Sequence, residues 1–149
     1  MTGVEEAPDE ATLRARIDPG AVAFWWTLGV TIDRVDAPGH VVLTLPWRKE
    51  LETRRPGVMH GGAIASLIDS AAGAAVLTLH EDDDPTWAGI ATLDMNVSYL
   101  NPAMTEVVAE ATVLRASRTL VFVTVDVRDR EGTLLAAGRC TYAIARKSS

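Results

Sequence analysis

The sequence predicts an α+β domain in which an antiparallel β-sheet wraps around one long central α-helix. Three observations carry that expectation. Residues 57–79 form a long apolar segment, opened by His60-Gly61-Gly62 and interrupted by a single carboxylate, Asp69. At about five turns of roughly 3.6 residues it is long enough for a sheet to wrap around. Beyond it the apolar period changes to two: Leu93, Met95, Val97 and Tyr99 alternate with Thr92, Asp94, Asn96 and Ser98, the pattern of a half-buried strand. Finally, short turns separate the last strands, which makes them antiparallel neighbours, and a helix lying across such a sheet is the α+β solution.

Taken in order, residues 1–9 are polar and expected to fray. A first helix is expected over residues 11–28, broken or restarted at Asp18-Pro19-Gly20, with Phe24, Trp25 and Leu28 able to share one face. Trp25 and Trp26 either line a ligand pocket or pack against the sheet. Strands are expected at residues 30–35 and 40–45, joined at Ala37-Pro38-Gly39, with Val41, Leu43 and Leu45 alternating with more exposed positions. Residues 47–56 read as a polar loop carrying Arg48, Lys49, Arg54 and Arg55, and the long helix ends before the acidic connector Glu81-Asp82-Asp83-Asp84-Pro85. Three adjacent aspartates suggest a metal, but no spaced ligand pattern accompanies them. Asn101-Pro102 bounds the next strand. Residues 107–114 alternate weakly, Ala116-Ser117 turns the chain, and Val121, Val123, Val125 and Val127 line one clean face. A turn at residues 129–132 leads to a last strand at about 133–145. No repeat or second domain interrupts residues 1–149, read as a tail and helix to about residue 29 and a core from 30 to 145.

Bulk composition narrows the function. A chain of 149 residues with 48% hydrophobic and 23% charged residues can bury a core. A net charge of −6 argues against nucleic acid or an anionic membrane as the main partner, though local basic clusters can still take an anionic small ligand. The single Cys140 excludes an intramolecular disulfide and fits a reducing compartment; within a strand it reads as a small buried hydrophobe. The acidic start (Glu5, Glu6, Asp9, Glu10) is the opposite of a signal peptide, and no apolar run reaches the ~20 residues of a membrane span. A cytoplasmic protein is expected.

On a helical wheel Ala63, Ile64, Leu67, Ile68, Ala71, Ala72 and Ala75 form one broad apolar face, and Asp69 lies outside it. Its stripe neighbours at i−7, i−3 and i+4 are Gly62, Ser66 and Gly73, small residues that leave room for a ligand or another backbone. Asp69 is either a functional carboxylate with that clearance or an ordinary polar-face residue. Gly61 and Gly62 would present free N–H groups at the positive helix start, beside His60, suited to polarising a carbonyl. Alternatively the glycines only permit the turn and His60 caps it. Eight residues of helix separate Gly61 from Asp69 by roughly 12 Å, too far for one carbonyl to meet both. If both act on one atom they come from different chains, which predicts a two-fold dimer with its sites at the interface.

At these residues the sequence resembles the hotdog-fold acyl-CoA thioesterases, and specifically the branch similar to PaaI, the phenylacetate-pathway thioesterase. The resemblance rests on His60-Gly61-Gly62, then Leu67, Asp69 and Gly73. It continues in residues 92–103 and in the hairpin of residues 125–137, and spans about 30–145. It implies that Asp69 attacks the thioester or activates water, that the Gly61 N–H of the opposite subunit polarises the carbonyl, that His60 supports the loop or contacts the carbonyl side, and that Thr92 orients the attacking water. It also implies a homodimer as the minimal active unit, more often a homotetramer, and no cofactor beyond the coenzyme A of the substrate. One position departs from the family: six residues before His60, where Asn or Gln is usual, stands Arg54, whose guanidinium cannot accept a hydrogen bond.

Coenzyme A phosphates call for cations, and Arg115 and Arg118 beside a turn, or Arg48, Lys49 and Arg55, are candidates or solvated surface charges. Gly62, Arg54, Ser66, Met59 and Asn96 complete the expected substrate contacts, and Trp25, Trp26, Leu28, Met59 and Met95 are apolar candidates for the acyl pocket. A hotdog hydratase or dehydratase and a non-catalytic acyl-CoA-binding protein remain the competing readings.

Overall fold

The computed structural model describes residues 6–148, so the fraying expected of residues 1–5 lies outside the described residues. Helix α1 (Glu10–Ile17) starts where the Asp9 carboxylate accepts from the Thr12 N–H at 2.9 Å, and stops at Asp18, whose φ of 46° is left-handed. Pro19 then opens a single 3-10 turn, so the expected break falls where the sequence put it. Helix α2 (Ala23–Leu28) buries Trp25 and Leu28. Phe24, expected on the same face, is 54% exposed: it lies about 100° around the helix from Trp25, at the margin of the stripe that Trp25 and Leu28 bury. Gly29, at φ 81°, ends α2, and the Arg48 guanidinium closes its carbonyl end by donating to Thr27 and Leu28.

Six strands form one antiparallel sheet: β1 (Thr31–Ala37), β2 (His40–Leu45), β3 (Trp87–Tyr99), β4 (Val107–Ala116), β5 (Leu120–Asp129) and β6 (Leu134–Arg146), in the spatial order β1-β2-β4-β5-β6-β3. The long helix α3 (Gly61–Leu77) connects β2 to β3, which lie apart with β4, β5 and β6 between them, so it has to cross the sheet. It packs against β2 through β6, and all seven apolar-face residues expected from the wheel are buried. Val121, Val123, Val125 and Val127 meet it from β5. A Cβ on Gly138 of β6 would stand 2.7 Å from Ile68 Cγ2, so this glycine lets helix and sheet close. On β2 the expected alternation does not hold, because Val42 and Thr44 are buried as well; β2 has neighbours on both edges and covered faces.

Strand β3 departs most from its sequence pattern. It is one of the sheet's two edge strands, and Leu93 (59%), Met95 (37%) and Tyr99 (52%) are exposed rather than half-buried. A register shift between Thr92 and Asp94 also breaks the alternation. Thr92 pairs with Tyr142, whereas beyond the shift Met95 pairs with Cys140, Val97 with Gly138 and Tyr99 with Ala136. Those β6 partners are the buried, helix-facing set, so the bulge at Leu93 moves Thr92 onto the face turned toward α3. The acidic connector is tied to the sheet end by Arg146, which donates to Asp84, while the Thr86 hydroxyl and N–H, with Arg146 behind them, hold the Asp84 carboxyl at about 2.

Candidate active site

Helix α3 carries two chemical centres. At its start His60 is the N-cap: its Nδ1 accepts from the Gly62 N–H at 2.7 Å, which places the ring proton on Nε2, at the exposed edge. Gly62 therefore offers no free donor, a correction to the expectation that both glycine N–H groups are open. The Gly61 N–H has no partner among the described residues and points from the positive end of a helix of 17 residues. Tyr99 covers this glycine; its hydroxyl donates to the Gly61 carbonyl at 2.8 Å, and a Cβ here would stand 3.3 Å from its ring. Beside it lies a cleft of about 380 Å³ lined by Val58, Met59, Ile64, Tyr99, Leu100 and Pro102 among others. Met59 lies in its wall and is almost wholly buried, at 2% exposure.

The second centre is Asp69, half-buried in mid-helix. Its Oδ1 accepts from the Thr92 hydroxyl at 2.8 Å and from the Tyr142 hydroxyl at 2.5 Å; the latter also lies 2.7 Å from the Asp69 main-chain carbonyl. Oδ2 has no hydrogen-bond partner among the described residues. Burial, then the hydrogen bond to Asp69, pushes the Tyr142 phenol above the ordinary tyrosine range, so it stays a neutral donor. Gly73 clears the space for it: a Cβ there would stand 3.1 Å from the Tyr142 oxygen. What the small stripe admits beside Gly73 is thus a side chain of this chain's own β6.

Other expected site residues fall elsewhere. The Ser66 hydroxyl donates back to the Gly62 carbonyl at 2.8 Å, so its proton is taken by its own helix. Asn96 pairs with Arg139 on the sheet face away from α3 and Asp69: it alternates with Met95 and Val97, and the Leu93 bulge changes the face of Thr92 only. Arg48 is occupied at the end of α2, which removes it from the phosphate candidates. Arg54 is exposed on the turn before α3, and Arg115 and Arg118 are exposed at the β4–β5 turn. Trp25 and Leu28 are core residues; Trp26, 71% exposed, borders a separate surface hollow with Arg14 and Pro19. Burial, then the charges of Asp69 and Asp94, pushes the Cys140 thiol up to about 12, so it is no nucleophile. Tyr99 and Tyr142 were missing from the sequence-based site. For Tyr142 the signal was a hydroxyl at the inward phase of the last strand, where burial demands a partner; Tyr99, 52% exposed, carried no such signal.

Residues 56–136 match the family described as the thioesterase superfamily. A provisionally named esterase of Halobacterium salinarum is 34% identical, over 98% of this chain and 99% of its own. Acyl-coenzyme A thioesterase 13 of Homo sapiens is 34% identical over 70% of this chain and 73% of its own. A solved thioesterase family protein from Silicibacter pomeroyi superposes with a TM-score of 0.78, at 28% identity, covering 91% of this chain and 97% of the other. Fold and relatives together define a class: a hotdog-fold thioester hydrolase. The chain belongs to the thioesterase superfamily.

Proposed function

We propose that this protein hydrolyses an aryl- or fatty-acyl-CoA to the free acid and CoA, at sites that two subunits complete. The observation that carries this is the separation of the two centres on one rigid helix. Eight residues of α3 keep the Gly61 N–H and Asp69 about 12 Å apart, beyond reach of a common carbonyl. A two-fold dimer brings Asp69 of one protomer to the Gly61 end of its partner. The long apolar edge of β3 supports such pairing, since an uncovered edge of 13 residues suits a second copy. A homotetramer built from two such dimers, in the cytoplasm, is the fuller form of this reading.

At such a site the thioester oxygen receives the Gly61 N–H, which stabilises the oxyanion, with the His60 Nε2–H as a neighbouring donor. Asp69 then acts in one of two ways. As a general base it takes a proton from water, hydroxide adds to the carbonyl carbon, and the tetrahedral adduct expels the CoA thiolate, which recovers the proton. As a nucleophile it adds to that carbon itself, releases CoA thiolate, and leaves an anhydride that water cleaves. Thr92 steadies the carboxylate in either case, and neither route calls for a cofactor or metal. The cleft walls of Met59, Ile64, Tyr99 and Leu100 suit an aryl or alkyl group alike.

Mixing inactive variants tests the shared site. Asp69→Asn and Gly61→Pro each disable one half. A heterodimer of the two has one intact site, so random exchange should restore about a quarter of wild-type thiol release. If each site belongs to one chain, no activity returns and the proposal fails. For the CoA phosphates, Arg115→Ala or Arg118→Ala should raise KM for an acyl-CoA by about tenfold and leave KM for the matching acyl-pantetheine unchanged. Equal KM values for wild type and both variants assign the phosphates elsewhere, with Arg54 and Arg55 next in line.

A further inference from the structure

We propose that Tyr142 is a positioning residue for Asp69: with Thr92 it holds Oδ1 so that Oδ2 alone is presented to the reaction. This rests on the reading of Asp69 as the reacting carboxylate. A carboxylate turns easily about its terminal torsion, so an unrestrained Asp69 would offer either oxygen in many orientations. Two hydroxyls from two paired strands, Thr92 on β3 and Tyr142 on β6, converge on the same oxygen. They fix both the plane of the group and the identity of its free atom.

Three features single out Tyr142. It is 4% exposed, so its donor is held by packing rather than by solvent. Its hydroxyl also lies 2.7 Å from the Asp69 main-chain carbonyl, so its single proton sits between the side-chain and main-chain oxygens of the same residue. Moreover, the position one turn beyond Asp69 is a glycine, with a Cβ there set to stand 3.1 Å from this hydroxyl. In mid-helix alanine is the better helix former, so a glycine at this place serves the tyrosine rather than the helix. The buried phenol keeps its proton at neutral pH and therefore acts as a donor throughout.

The test is a cycle of Tyr142→Phe, Gly73→Ala and the double variant, assayed by thiol release from an acyl-CoA beside melting curves. Tyr142→Phe should lower kcat about 10- to 100-fold, as loss of an orienting group does, with KM within about twofold of wild type. Gly73→Ala, which displaces the hydroxyl without deleting it, should lower kcat with no fall in Tm. In the Tyr142→Phe background it should add no further loss, because the displaced hydroxyl is gone. The proposal is overturned if Tyr142→Phe keeps wild-type kcat while Tm falls, or if Gly73→Ala costs the same factor with and without the hydroxyl. Should Tyr142→Phe not fold, wild-type kcat in Gly73→Ala overturns it alone. Asp69→Asn separates the two readings: loss of activity there with full activity in Tyr142→Phe removes the positioning role only, whereas full activity in Asp69→Asn removes the reading of Asp69 and the positioning role with it.

Discussion

Asp69→Asn is expected to lower kcat toward an acyl-CoA by about 10²- to 10⁴-fold, the range for loss of a positioned base. The substitution is nearly isosteric. The amide oxygen can still accept from Thr92 and Tyr142, which are the contacts that hold Oδ1. The amide nitrogen then takes the place of Oδ2, where a donor replaces the lone pairs that attack or deprotonation needs. Folding, Tm and KM should therefore stay near wild type while turnover collapses, which places the loss in the reaction step. Wild-type rates in this variant would exclude Asp69 from the chemistry.

Gly61→Pro should lower kcat by about 10²- to 10³-fold, the usual cost of one oxyanion donor. Proline suits the first helical position, where its missing N–H belongs to no helical hydrogen bond. His60 already has the extended backbone that a residue before proline prefers, at φ −62° and ψ 136°. The new Cβ meets the Tyr99 ring at 3.3 Å, a contact that Gly61→Ala reproduces while keeping the N–H. Comparing the two variants isolates the donor: a large loss in Gly61→Pro with a small one in Gly61→Ala assigns the oxyanion to this N–H. Equal losses in both would trace the effect to crowding at Tyr99. Equal retention would place the oxyanion elsewhere.

Both experiments address residues that are legible in the sequence alone. The motif from His60 to Asp69, the clearance left by Gly73 and the distance along one helix follow from local chemistry and a fixed rise per residue. So do the buried face of α3 and the valine ladder of β5, because periods of 3.6 and two need only neighbours in the chain.

What the sequence by itself determined is therefore the class of fold, the helix that organises it and the two ends of the candidate site. Tertiary structure alone decided which partners those ends receive. Thr92 reaches Asp69 because a bulge at Leu93 reverses the strand's phase, and a bulge depends on pairing with β6, far along the chain. Tyr142 lies 73 residues from Asp69, so the hydrogen bond that joins them has no local trace. The same holds for the edge place of β3, which turned an expected half-buried strand into an exposed one. Periodicity is written residue by residue, whereas register, edges and cross-strand hydroxyls arise only when distant segments meet.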